Sequence, residues 1–315
     1  MNFDIKDFKN PNLKDLDEYR HMYEKSVTDP SSFFLEHALK ELEWFEKPSV
    51  GYSGKITKPT WFRDGVLNIS YNCIDRHAAK NPNKTAIIWQ GDEKENTKNI
   101  SYDQLLIEVS KLANGLKSIG VKKGDRVCIY MPMIPETIIA MLACARIGAI
   151  HGVVFGGFAS AELAVRIDDA RPKAIISASC GIEVNRVIPY MPLLNDAIEI
   201  ANHKPSNVIV VQRSELESTL NKGRDLDWND VLDNATPTEC VPLKSIDPLY
   251  ILYTSGTTGL PKGVVRDNGG HAVALNYSMK AIYNVEAGDV YWAVSYTHLR
   301  AHETKANLVC RLLLE

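Results

Sequence analysis

The run Tyr253-Thr254-Ser255-Gly256-Thr257-Thr258-Gly259-Leu260-Pro261-Lys262-Gly263 has the make-up of a loop that holds polyphosphate. Its glycines let backbone N–H groups turn toward an anion without a Cβ penalty. The hydroxyls of Thr254, Ser255, Thr257 and Thr258 add donors, and Lys262 adds a compact positive charge. The apolar and aromatic run 248–253 just before it predicts a buried strand. Pro261 precedes Lys262 and Gly263 follows it, so the Gly-Lys-Ser/Thr ending of a Walker A loop is absent. A kinase would need that ending or a kinase-type glycine-rich loop, and the chain has neither. An ordinary Gly/Thr surface loop is the plain alternative.

Two further segments have residues suited to binding. Val153-Val154-Phe155-Gly156-Gly157-Phe158 ends a predicted strand on two glycines, which admits a ligand or simply makes a tight turn. Ser179 to Arg186 follows another strand end; there Arg186, three residues after Glu183, is either a fork for an anion or an ion pair on a helical turn. His151 reads as a hydrogen-bonded core histidine, and His271 is given no catalytic role. Asp75, Arg76 and His77 read as structural groups tying down a helix end. His298 and His302 stand four apart with Glu303 next. The pair lacks a Glu directly after the first His and any third ligand, so it does not read as a zinc site.

The elements that position these residues form a regular series. Helices are expected at about 30–45, 105–116, 135–147, 160–170 and 192–202, and after Gly269 and Gly270 through Val273, Leu275, Met279 and Ile282. Strands are expected at 126–131, 149–155, 173–178, 207–212 and 249–253. Their alternation predicts an α/β fold, with a mostly parallel, layered sheet covered by helices on both faces. Ligands in such sheets lie beyond the C-terminal strand ends, where the Gly/Thr run would sit. Residues 48–59 and 213–247 read as exposed connections.

Thr-Ser-Gly-Thr-Thr-Gly-Leu-Pro-Lys-Gly at 254–263 resembles the signature loop of the acyl-adenylate-forming superfamily. Val264-Val265-Arg266-Asp267-Asn268-Gly269-Gly270-His271 resembles its propionyl-CoA synthetase branch. The resemblance implies an enzyme that couples ATP, propionate and coenzyme A through propionyl-AMP, with acetate as the alternative acid and Mg²⁺ as a cofactor. It implies ATP phosphate contacts at Thr254, Ser255, Gly256, Thr257, Thr258, Gly259 and Lys262. It implies a coenzyme A surface at Phe155, Gly156, Gly157, Glu183, Val184, Asn185 and Arg186. Acetyl-CoA synthetases carry a second arginine where Glu183 stands, so a two-arginine clamp is not expected.

The same resemblance divides the chain into an acetyl-CoA synthetase-type N-terminal segment at 17–77 and a partial AMP-binding domain at 78–295. Residues 296–315 look like unrelated sequence, and a family-type C-terminal domain with its adenylation lysine would be missing, leaving an incomplete and inactive piece. With 315 residues, 45% hydrophobic and 24% charged, the chain can bury a core. Its net charge of −3 gives no reason to expect nucleic acid. Arg146 and four glycines break the apolar stretch 137–158, so a membrane span is not expected. Six separated cysteines and a charged start suit a reduced, cytoplasmic protein acting on small molecules.

Overall fold

The computed structural model describes residues 13, 15–55, 57–91, 97–183, 186–254 and 261–292, with 183 described for its backbone only. The strands are β1 (Tyr52–Lys55), β2 (Lys58–Trp61), β3 (Val66–Leu67), β4 (Thr85–Gln90), β5 (Thr97–Ser101), β6 (Arg126–Met131), β7 (Ile150–Phe155), β8 (Ala174–Ala178), β9 (Cys180–Glu183), β10 (Arg186–Pro189), β11 (Asn207–Val211), β12 (Asp225–Asp227), β13 (Leu243–Lys244), β14 (Pro248–Thr254) and β15 (Lys262–Asp267). The helices are α1 (Leu16–Thr28), α2 (Pro30–Glu41), α3 (Arg76–Ala78), α4 (Tyr102–Ser118), α5 (Pro135–Ile147), α6 (Ser160–Ala170), α7 (Tyr190–Ile200), α8 (Trp228–Asp233) and α9 (Gly269–Ala281).

Seven strands form the main sheet in the order β12-β11-β8-β6-β7-β14-β15. All neighbours are parallel except β14 and β15, which are antiparallel. The pleat sends successive side chains to opposite faces, and at β6, β8 and β11 both faces are covered. Val127, Ile129 and Met131 of β6 join the core against α4 and α5. Cys128 and Tyr130 of the same strand join the core against α6 and α7. The α/β class, the mostly parallel sheet and the helices on both faces agree with the sequence.

Local chemistry explains the ends of these elements. Ser101 and Gln104 form a reciprocal capping box at the start of α4. Pro135 opens α5, and Gly148 closes it at φ 72°, a left-handed position suited to glycine. Asp29 caps α2 by accepting from Ser32 N.

Several expectations need correction. The 213–247 stretch adds β12 in parallel to the sheet edge, and α8 buries Trp228 in the core. A six-residue helix capped by Asp227 is too short to show a period. The 48–59 loop holds the β1–β2 hairpin. Helix α7 begins at Tyr190, two residues before Pro192. The 181–186 stretch is no helical turn, because Arg186 faces Glu183 across the antiparallel β9–β10 pair. Among the described residues no helix is long and apolar enough to cross a membrane.

By internal packing, 21–274 group as one unit, while 1–20 and 275–315 group as another. Within the latter, Tyr283 and Tyr291 make an edge contact at 5.7 Å.

Candidate functional site

The strands β6, β7, β8, β11 and β14 run parallel, so their C-terminal ends share one edge of the sheet. The candidate segments leave from there. Thr254 ends β14 and Lys262 begins β15, paired across the ladder and both exposed. The expected loop is therefore carried at a hairpin, and Lys262 stands on a strand rather than within the loop. Ser255, Gly256, Thr257, Thr258 and Gly259 lie outside the described residues.

Tyr253 holds the first end of that hairpin. Its hydroxyl donates to Asp169 Oδ2 at 2.6 Å. Burial, then the Asp169 hydrogen bond, pushes the phenol pKa well above its ordinary value. Gly263 faces Tyr253 across the ladder. A Cβ on Gly263 would come within 2.9 Å of Ile251 and 3.3 Å of the Tyr253 ring, so the close approach needs glycine.

Phe155, Gly156 and Gly157 turn the chain at the end of β7, with Phe155 and Gly157 exposed and Gly156 buried. The Tyr130 hydroxyl donates at 3.0 Å to the carbonyls of Gly156 and Phe158. The Tyr190 ring packs so closely that a Cβ on Gly156 would meet its hydroxyl at 2.2 Å, and one on Gly181 at 2.4 Å. One tyrosine thus separates the Gly156 turn from the β9–β10 hairpin. Tyr190 N donates to Ser179 O at 3.0 Å, closing the base of that hairpin. Arg186 is exposed on β10, while Val184 and Asn185, and the side chain of Glu183, lie outside the description. Arg213, at the end of β11, steadies β9 through a 3.3 Å bond to Cys180 O.

Helix α6 reaches toward both regions. The Arg166 guanidinium lies 4.5 Å from the centre of the Phe158 ring and 5.7 Å from that of Tyr253. It also donates to Glu162 O and, at 3.0 Å, to Glu162 Oε2. Tyr130, Tyr190, Arg166 and Asp169 were not singled out from sequence. An arginine on an amphipathic helix reads as a surface charge, and core tyrosines read as packing.

Other polar groups sit away from this edge. Asp75 grips Arg146 with two bonds, 2.8 and 2.9 Å, in line with a structural role. Arg76 donates to Asn72 O and Glu41 O, tying down the helix end as expected. A cavity of about 480 Å³ lies beside Asp75, Ser110 and Arg146, whose side chains are already hydrogen-bonded. His151 is buried, but its Nδ1 has no partner, so the hydrogen-bonded core histidine of the sequence reading holds only for its burial. Burial lowers its pKa to about 4, with His271 adding to the shift. Tyr250 packs on the His151 ring at 5.4 Å and contacts His271 Nε2 through its hydroxyl at 2.9 Å. No cluster of three or more His, Cys, Asp or Glu suited to a metal occurs among the described residues.

The parallel sheet has glycine-bearing turns at its C-terminal edge, the place where α/β proteins of this class bind their ligands. Residues 74–302 match the AMP-binding enzyme family, and 19–73 match the acetyl-coenzyme A synthetase N-terminus. The chain belongs to the AMP-binding enzyme family. It is 50% identical over 281 residues to the mitochondrial acyl-CoA synthetase short-chain family member 3 of Rattus norvegicus, covering 88% of this chain and 41% of that protein. It is 41% identical over 288 residues to the acetyl-coenzyme A synthetase of Gamma-proteobacterium EBAC31A08, covering 91% and 45% respectively. The fold resembles that of the acetoacetyl-CoA synthetase from Streptomyces lividans, with a TM-score of 0.79 at 23% identity over 86% of this chain and 41% of that one. The chain spans about two fifths of the length of these relatives.

Proposed function

We propose that this chain is part of a short-chain acyl-CoA synthetase. A carboxylate oxygen attacks the α-phosphorus of ATP, forming acyl-AMP as pyrophosphate leaves. The CoA sulfur then attacks the acyl carbonyl, forming the thioester as AMP leaves. The observation that carries this reading is the departure of all three candidate segments from the C-terminal edge of one parallel sheet. The Gly156 turn follows β7, the Arg186 hairpin follows β8, and the Thr254–Lys262 hairpin follows β14.

In this reading Thr254, the 255–259 run and Lys262 neutralise the phosphates, while Phe155, Gly156, Gly157 and Arg186, with Glu183, Val184 and Asn185, meet CoA. A guanidinium on an exposed strand suits a phosphate of CoA. Mg²⁺ would enter bound to the nucleotide, and no step is assigned to it. Small molecules are the partners, and the compartment is the cytoplasm. The segments 17–77 and 78–295 are the family portions, the match running on to residue 302 rather than stopping at 295; the residues after it are foreign to them, and the 315-residue chain alone is inactive.

Propionate is the proposed acid, supported by the 264–271 sequence; the 41% identity to an acetyl-coenzyme A synthetase keeps acetate as the second reading. ATP–pyrophosphate exchange and CoA-dependent AMP release, measured on the protein at the length of its relatives, test the reaction. Exchange should require a short carboxylate and be higher with propionate than acetate. One methylene should separate the acids by only about 1–3 kcal/mol in kcat/KM. Higher kcat/KM with acetate would overturn the propionate choice, and no exchange with any short acid would overturn the function.

A further inference from the structure

We propose that Arg166 is a positioning residue that joins the two candidate substrate segments, so that ordering at the end of β14 is passed to the Gly156 turn. The inference rests on the reading of those segments as ATP and CoA contacts. Arg166 is 8% exposed although it carries a permanent charge. Its carboxylate partner, Glu162, has a side chain that is 57% exposed and reaches only one guanidinium nitrogen. A surface ion pair of this kind offsets little of the cost of burying a guanidinium. The Glu162 carbonyl and the aromatic faces supply the rest, since a guanidinium within about 6 Å of a ring centre is attracted by the ring's negative face. Phe158 and Tyr253 both meet that condition.

The two rings belong to different parts of the candidate site. Phe158 closes the Gly156–Gly157 turn, and its carbonyl is held by Tyr130. Phe155 meets the Phe158 ring edge-on at 5.9 Å, so movement of Phe158 reaches the residue expected to touch CoA. Tyr253 precedes Thr254 and is tied to α6 a second time through Asp169. Arg166 and Asp169 stand three apart on one helix and so face the same way. The helix thereby grips the β14 end by ring and hydroxyl, and the β7 turn by ring alone. If Arg166 served only the Glu162 ion pair, neither ring would respond to its loss.

Amide hydrogen exchange on the 315-residue chain tests this without any turnover. Arg166→Met keeps the length of the side chain and removes its charge. It should speed exchange at both 153–159 and 249–254 by on the order of tenfold, leaving 174–178 and 207–211 unchanged. Phe158→Leu should speed exchange at 249–254 as well, by way of Arg166. Faster exchange at one segment only, or equally across all four, would overturn the proposal. Inorganic pyrophosphate is the ligand probe. In the unaltered chain it should slow exchange at 249–254 and also at 153–159, and Arg166→Met should abolish the second effect while keeping the first. Slowing at 249–254 alone would refute the coupling and leave the phosphate reading standing. Slowing at neither would refute the phosphate reading, while the variants still decide whether Arg166 joins the two segments.

Discussion

β8 and β15 belong to one sheet and are opposite in kind. Every residue of β8 is buried, between β6 and β11 and under helices on both faces. β15 is the antiparallel edge, where Lys262, Gly263, Val265 and Arg266 are exposed. The interior half has no polar group to spare for ligands, and its apolar area makes it the store of stability. The β14–β15 half buries little and keeps its charges in water, which suits the polyphosphate contact proposed for it. The hairpin proposed to meet phosphate thus lies where packing is thinnest, with Tyr253 held from behind by Asp169 and Arg166 of α6.

The sharpest way to break that division lies behind the interior half. Asp75→Ala should destabilise the chain by about 3–5 kcal/mol, because Arg146, 2% exposed, would lose its only carboxylate partner among the described residues. Urea unfolding measures this. A loss under 1 kcal/mol would mean that the bonds to Thr238 O and Cys240 suffice. At the other end of the sheet, Lys262→Ala should leave unfolding within about 0.5 kcal/mol, as an exposed strand residue would. In the protein at the length of its relatives it should cost adenylation roughly 2–4 kcal/mol in kcat/KM. Thioester formation from supplied acyl-AMP should be spared, since pyrophosphate has by then left. Equal loss in both half-reactions would assign Lys262 to folding and erase the contrast.

Between the two regions lies His151, which β7 carries beside β14 at Tyr250. Burial holds its folded pKa at about 4, against 6.5 for the free side chain. The folded state therefore favours the neutral ring, and the unfolded chain binds the extra proton between these values. Its contribution is complete above about pH 6.5 and is lost as pH falls toward 4. The loss should reach roughly 2–3 kcal/mol by pH 4.5. His271, also lowered by burial and then by Arg266, adds in the same direction. Comparing the pH dependence of unfolding in His151→Gln with the unaltered chain isolates the contribution of His151. Identical slopes would show that water reaches the ring.

The interior half was legible because its signals are local and repeated. Arg126–Met131 and Ala174–Ala178 are short apolar runs, and amphipathic helices lie between the strands. The β9–β10 hairpin was hidden because Glu183 and Arg186 at that spacing suit a helical turn equally well. β12 and α8 were hidden because three and six residues are too few to establish a period. In the candidate site, the sequence pointed to the residues proposed to face ligand and gave no sign of those packed behind them. Tyr130, Tyr190 and Arg166 act through contacts made across the sheet, which no spacing along the chain records.

The smallest effect expected gives the finest test of the contrast. Val265 on β15 is 56% exposed and pairs with Ile251 through the backbone ladder. Threonine keeps its shape and its strand preference while making the side chain polar. On an open face the hydroxyl stays hydrated, so Val265→Thr should shift stability by no more than about 0.5 kcal/mol. At Ile176, fully buried on β8, the non-isosteric change Ile176→Thr should cost several-fold more, since the hydroxyl would enter a dry core. The two substitutions therefore read the cover over each strand in the same units. Measured in the longer protein, a cost at Val265 rising toward that at Ile176 would mean that β15 has gained a covering layer there. The openness seen at this edge would then belong to the 315-residue chain alone, and the phosphate hairpin would rest on a second packed face.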